Sequence, residues 1–175
     1  VASSPDDAAE ARPAKTRLLF VCLGNICRSP TAEGTMRALV RTAGLENTIE
    51  LDSAGTGSWH VGSPPDARAS AAARARGIPL DGSARQVTRE DFDDFDLVVA
   101  MDSANMRELQ RLASGDEQRA KVRLLREFDP VSVGSEDLDV PDPYYGAGDG
   151  FEEVLDLVQA ACEGLFTQIQ TGQAP

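Results

Sequence analysis

Four apolar residues in a row, Leu18-Leu19-Phe20-Val21, constrain the fold of this chain more than any other feature. A run this short and continuous suits a strand buried on both faces, because a strand with one wet face alternates apolar with polar residues. Beyond it come a cysteine, a glycine and then Ser29-Pro30, where serine can cap a helix and proline is pre-shaped for the first turn. A helix is expected from Pro30 to about Ala43, with Ala32, Met36, Leu39 and Val40 on one face and Gly44 ending it. The pattern then recurs. Strands are expected at Ile49 to Ser53, Asp96 to Met101 and Val122 to Leu125. Between and after them come helices at Asp66 to Arg76, from a cap at Asp102 or Ser103 to Leu112, and at Gly150 to Thr171. Such alternation implies right-handed crossovers and an α/β fold: a small parallel sheet of about four strands covered by helices on both faces. Ligands of such sheets bind beyond the carboxyl ends of the strands, and Cys22 sits at one of those ends.

Residues 1–15 are rich in Ala, Asp, Glu, Ser and Pro without apolar period and read as a flexible tail; residues 16–175 read as one domain. Seventeen Lys and Arg against 29 Asp and Glu leave a formal charge of -12, the wrong sign for a nucleic-acid backbone or an anionic membrane. Any anionic ligand must therefore be held by a local site. No stretch approaches the ~20 apolar residues of a membrane span, so no membrane insertion and a cytoplasmic location are expected. Cys22, Cys27 and Cys162 are too few for a disulfide framework and lack the spacing of a zinc site, and His60 is the single histidine. Neither a metal nor a cofactor is expected. Cys162 falls on the apolar face of the last helix and reads as core.

The segment Cys22-Leu23-Gly24-Asn25-Ile26-Cys27-Arg28-Ser29 joins the first strand to the first helix, so its amides can converge where the helix dipole favours an anion. It lacks the Gly-Lys-Ser/Thr ending of a nucleotide-triphosphate loop and opens with a cysteine instead. A thiol among inward-facing amides and beside a guanidinium is expected to ionise easily and act as a nucleophile. Arg28 is placed to return to the same cavity, where its planar fork suits two phosphoryl oxygens. Gly24 is expected to give the loop its backbone freedom, Asn25 to brace its shape, and Ser29 to donate a hydroxyl proton to the Cys22 sulfur. Phosphoryl transfer also needs a proton for the departing oxygen. Of two Asp-Pro pairs, Asp142-Pro143 is preferred over Asp129-Pro130 because prolines stiffen the chain around it and Tyr144 and Tyr145 follow as walls for a flat ring. Cys27 reads as a resolving thiol able to form a disulfide with Cys22. The acidic run from Glu90 to Asp96 reads as a solvated face beside two packed phenylalanines.

The C-x5-R-S signature at Cys22 to Ser29, together with the distant Asp142-Pro143-Tyr144-Tyr145, closely resembles the low-molecular-weight protein tyrosine phosphatase family of bacterial type, over about Thr16 to Thr171. The resemblance implies hydrolysis of phosphotyrosine monoesters of tyrosine-phosphorylated proteins, and a monomer is expected. Cys22 is then the nucleophile, Arg28 the phosphate clamp and Asp142 the general acid, with Asn25, Ser29 and Ser53 as supports and the loop amides from Leu23 to Cys27 holding phosphate. It further implies that Trp59 and His60 belong to a variable recognition loop. Ile26 stands where relatives acting on phosphoarginine carry threonine, which favours phosphotyrosine. One departure is visible. Many relatives have a histidine shortly before an Ala-Arg-Gln-Val-like segment, bonded to the loop asparagine, whereas Asp81-Gly82-Ser83 stand here. The alternatives are a phosphoarginine phosphatase, a thiol-dependent arsenate reductase, which would need further relay cysteines, and a catalytically silent phosphotyrosine-binding module.

Overall fold

The computed structural model of the chain describes residues 14–144, 146 and 148–175. Most of the expected tail therefore lies outside the described residues. Strands β1 (Thr16–Cys22), β2 (Ile49–Gly55), β3 (Leu97–Ala100) and β4 (Val122–Leu124) form one parallel sheet in the order β2-β1-β3-β4. The first crossover goes from β1 to one side, and the second passes back over β1 to the other. The chain thus reverses its winding beside β1, which opens a crevice at that strand's carboxyl end. Cys22 is the last residue of β1, in register with Gly55.

Because side chains alternate across a strand, the run Leu18 to Val21 serves two cores. Leu18 and Phe20 pack on one face with Met36 of α1 (Arg28–Thr42) and with Val158 and Leu165 of α6 (Gly150–Gln170). Leu19 and Val21 pack on the other with Phe92, Val98 and Leu109, the last from α4 (Ser103–Leu112). Both faces are dry, which explains the continuous apolar run. Helix α2 (Ala67–Ala75) is capped by Asp66, whose carboxylate accepts the amides of Arg68 and Ala69. Cys162 is fully buried in the α1/α6 core, as expected.

Several boundaries differ from expectation for physical reasons. Helix α1 starts at Arg28, not Pro30, with Cys27 in the cap position and no side-chain cap. Ser29, expected as the cap, lies inside the first turn and spends its hydroxyl in the site below. A helix end facing a ligand cavity keeps its unpaired amides for an anion. Helices α3 (Asp91–Asp94) and α5 (Gly115–Ala120) were not anticipated: the first spans barely one turn and the second buries no residue, so neither shows an apolar stripe. The acidic run is also not wholly solvated. Phe92 and Phe95 are buried as expected, but Asp91 is buried too, bonded by both Arg85 nitrogens and the Thr88 amide.

Helix α6 approaches the 3-10 turn Leu125–Phe128 so closely that a Cβ on Gly164 would lie 1.8 Å from the Phe128 carbonyl oxygen. Gly164→Ala would gain about 1 kcal/mol of helix propensity. It must also displace backbone, at a typical overpacking cost of roughly 1–3 kcal/mol or more. A net loss of stability is expected, read as a lower urea midpoint at unchanged slope.

Candidate active site

At the carboxyl end of β1 the chain turns through the loop 23–27 into α1. The left-handed position in this loop is Asn25, with φ 56°, rather than Gly24. Gly24 has a different role from the one expected: a Cβ there would lie 2.9 Å from Cδ2 of His60, so its bareness lets the His60 ring pack on the loop. Asparagine tolerates the left-handed conformation better than most residues, and here its side chain is fixed on three sides. Its Nδ2 donates to Ser29 Oγ (2.9 Å) and Ser53 Oγ (3.0 Å), and its Oδ1 accepts from the backbone amide of Arg85 (3.0 Å). Ser53 in turn donates to Glu33 Oε2 at 3.1 Å. Burial raises the Glu33 carboxyl above its ordinary range and its neighbour Asp52 adds to this, against the lowering effect of Arg37 and the Ser53 hydroxyl.

Cys22 is 2% exposed, and its sulfur lies 3.0 Å from Ser29 Oγ and 3.3 Å from the Asn25 amide. The Asn25 amide is a donor suited to an anionic sulfur, and the Ser29 hydroxyl can turn its one proton to the sulfur or to the Ala54 carbonyl at 3.4 Å. Arg28, also buried, returns to the same cavity as expected. Its Nη1 donates to Asp102 Oδ2 at 2.5 Å and to the Val140 carbonyl at 3.0 Å, while Nη2 lies 3.5 Å from Asp142 Oδ2. Burial works against its charge, but Cys22, Asp102 and Asp142 outweigh it and hold the guanidinium above its ordinary value.

These groups meet in a cavity of about 330 Å³, lined by Cys22, Leu23, Gly24, Ile26, Cys27, Arg28, Trp59, His60, Asp142 and Tyr144. Asn25, Ser29 and Ser53 brace the loop that forms it, and Tyr145 lies outside the described residues. The rings of His60 and Tyr144 stand 5.7 Å apart, tilted at 57°, and Arg68 lies over the Tyr144 and Phe151 rings. Trp59 is 75% exposed at the rim, folded over Gly57, where a side chain would collide with the indole. Asp129, the rejected alternative, is buried in its own turn, taking the Ser132 hydroxyl at 2.6 Å and the Val131 amide at 3.0 Å.

Residues 17–174 match the family model described as low molecular weight phosphotyrosine protein phosphatase. The chain belongs to this family. It is 53% identical to the low molecular weight protein-tyrosine-phosphatase of Streptomyces coelicolor over 154 residues, covering 88% of this chain and 93% of that protein. Among solved structures, YfkJ from Bacillus subtilis superposes with a TM-score of 0.84 at 43% identity, covering 93% of this chain and 99% of the other. The protein tyrosine phosphatase of Entamoeba histolytica, with Hepes in its active site, gives 0.84 at 38%, covering 91% and 99%.

The segment Asp81-Gly82-Ser83, where the resemblance implied a histidine bonded to the loop asparagine, carries none. A cavity of about 50 Å³ lies there, bordered by Asn25, Glu33, Ser53 and Gly82. Asn25 nevertheless has partners for both ends of its amide, so the loop is braced by other means. Four contributors to this candidate site were missed in the sequence: Asp102, Glu33, Arg68 and the Arg85 amide. Asp102 alone left a usable signal, being a carboxylate just beyond the carboxyl end of β3 where parallel sheets place ligand-facing groups.

Proposed function

We propose that this phosphatase hydrolyses phosphotyrosine monoesters of proteins through a phosphocysteine intermediate. The observation that carries the reading is the meeting of Cys22, Arg28 and Asp142 in one cavity walled by His60 and Tyr144. The loop amides and Arg28 receive the phosphoryl oxygens, and Cys22 attacks phosphorus opposite the ester oxygen. As the phosphorus–oxygen bond breaks, Asp142 gives its proton to the tyrosine oxygen. Water then attacks the phosphocysteine, Asp142 takes the proton back, and the sulfur leaves toward the Ser29 hydroxyl and the Asn25 amide. Asp102 and the Val140 carbonyl hold one edge of Arg28 and leave the other, beside Asp142, for the phosphoryl group. Fixed donors of this kind supply the charge stabilisation that a metal would otherwise provide.

Aromatic walls favour an aryl ester over a phosphoserine, and Ile26 on the loop favours it over phosphoarginine. Trp59 and His60 are the contacts for residues flanking the phosphotyrosine. Every group of the mechanism comes from one chain, which suits a monomer, and a thiol nucleophile suits the reducing cytoplasm. Among the described residues no helix is long and apolar enough to cross a membrane. The deciding experiment offers phosphotyrosine, phosphoserine and phosphoarginine peptides with a chelator present. Release of phosphate from the first at a rate well above the others is expected; inactivity on phosphotyrosine, or a preference for phosphoarginine, overturns the reading.

Cys27 lines the same cavity, and burial pushes its thiol up to about 12, with Asp66, Cys22 and Asp142 adding to the shift against Arg68. It is therefore protonated in the resting enzyme and does not compete with Cys22 as nucleophile. Its assigned role begins after peroxide converts Cys22 to a sulfenic acid, which condenses with the Cys27 thiol to a disulfide and water. Peroxide is expected to inactivate the native chain reversibly, and Cys27→Ala irreversibly at the same dose. Equal recovery of both by dithiothreitol removes Cys27 from this role.

A further inference from the structure

A general acid is useful only where it is held, and Asp142 sits in a stretch that offers little to hold it. Between the 3-10 turn and α6, the described residues 129–149 form no helix or strand. Ordering such a segment costs backbone entropy at every residue, so something specific must fix the carboxylate. At and after Asp142, its Oδ1 accepts the Tyr144 amide, its Oδ2 stands beside Arg28, and the Tyr144 carbonyl accepts from Arg68 Nη2 at 3.3 Å; before it, the contacts fall on two residues. The Asp139 carbonyl accepts from Arg126 Nη1 at 2.7 Å. The Val140 amide donates to the Met101 carbonyl at 2.8 Å, its own carbonyl accepts from Arg28, and its side chain is fully buried. Only Pro141, whose φ is locked by its ring, separates this anchor from Asp142.

The side-chain part of the anchor is Asp139. Its Oδ1 accepts both the backbone amide and the hydroxyl of Ser103, each at 2.8 Å, at the first residue of α4. The same helix end is capped by Asp102, whose Oδ1 accepts the Asn105 amide while Oδ2 holds Arg28. Two carboxylates thus share one helix terminus, where unpaired amides and the dipole favour both. Asp102 fastens the phosphate clamp to it, and Asp139 fastens the loop that carries the acid. We propose that Asp139 is a positioning residue for Asp142, latching the acid loop onto α4 through Ser103.

This inference rests on the phosphatase reading for its kinetic part. The alternative is that Asp139 only caps α4, and leaving groups separate the two. Loss of a cap lowers stability without regard to substrate. Loss of the latch weakens proton donation, which matters for the tyrosine oxygen and little for an acidic phenol. In Asp139→Ala, kcat/KM for a phosphotyrosine peptide is expected to fall about tenfold, part of the roughly 10²–10⁴ that acid–base help supplies. That for dinitrophenyl phosphate is expected to stay near native, and Asp139→Asn, which keeps an acceptor for Ser103, to restore most of the loss. In an Asp142→Asn background the same Asp139→Ala change should cost nothing further, since the latch then has no proton donor to place. Equal losses on both esters, no loss, or an undiminished loss in the Asp142→Asn background overturns the assignment. Hydrogen exchange reads the latch without catalysis: the Val140 and Tyr144 amides should exchange faster in Asp139→Ala while β1 amides do not change, and unchanged exchange there overturns the latch. Should the native chain hydrolyse neither ester, the phosphatase reading fails separately and exchange alone decides the latch.

Discussion

Exchanging the Cys22 sulfur for oxygen is expected to remove turnover, lowering kcat by at least about 10⁴, the scale on which loss of a nucleophile is felt. A serine hydroxyl is a far weaker nucleophile than a cysteine sulfur unless a base takes its proton. Neither Asp142, which serves the leaving oxygen and the attacking water in the proposed mechanism, nor His60, whose ring packs against Tyr144 at the pocket wall, is hydrogen-bonded to the side chain at position 22, whose partners are Ser29 Oγ and the Asn25 amide. The donors that would hold phosphate remain in Cys22→Ser, including Arg28 with its Asp102 and Val140 partners. The variant should therefore bind a phosphotyrosine peptide, measured by calorimetry, while releasing no phosphate. Residual turnover near the native rate would show that another group attacks phosphorus.

The fold was legible where both faces of the sheet are dry. The run Leu18 to Val21 marked β1 because each of its residues enters one core or the other, and the helix expected over Asp66 to Arg76 is α2. Two short helices were not legible, since α5 buries nothing and a single turn at α3 shows no period. The proposed reacting groups were equally plain. A cysteine, an arginine six residues on and a proline-stiffened Asp142 were visible in the sequence, and all three line one cavity.

What surrounds them was hidden, for reasons that differ from residue to residue. Asp102 lies 74 residues from Arg28, and its capping role accounted for it fully until its second oxygen was seen on the guanidinium. Glu33 looked like any polar residue of a helix, yet it is buried against Ser53. The Arg85 contact uses a backbone amide, which no side-chain pattern can announce. In the loop itself, glycine suggested the strained position, whereas Asn25 takes it and anchors its side chain there, while Gly24 yields space to His60. Long-range partners and backbone donors are properties of the folded chain, and local pattern carries no trace of them.

Asp142→Asn should slow hydrolysis of phosphotyrosine by roughly 10²–10⁴, the usual contribution of a placed acid–base group. The substitution is nearly isosteric. Asparagine can still accept the Tyr144 amide, now on Asp142 Oδ1 at 3.0 Å, and can still stand beside Arg28, so the cavity should keep its shape. What it lacks is a proton to give. Tyrosine leaves as a phenol of high pKa, about 10, and depends on that proton, whereas a nitrated phenol departs as a stable anion. The loss in kcat/KM should accordingly be largest for phosphotyrosine and shrink steadily along a series of aryl phosphates with more acidic phenols. Hydrolysis of the phosphocysteine in the proposed mechanism depends on the same carboxylate as base, so the phosphoenzyme fraction trapped by acid quench during turnover of dinitrophenyl phosphate should be larger in Asp142→Asn than in the native chain. A uniform loss across the series, with no rise in the trapped fraction over the native chain, would mean that Asp142 shapes the cavity and that the proton comes from elsewhere.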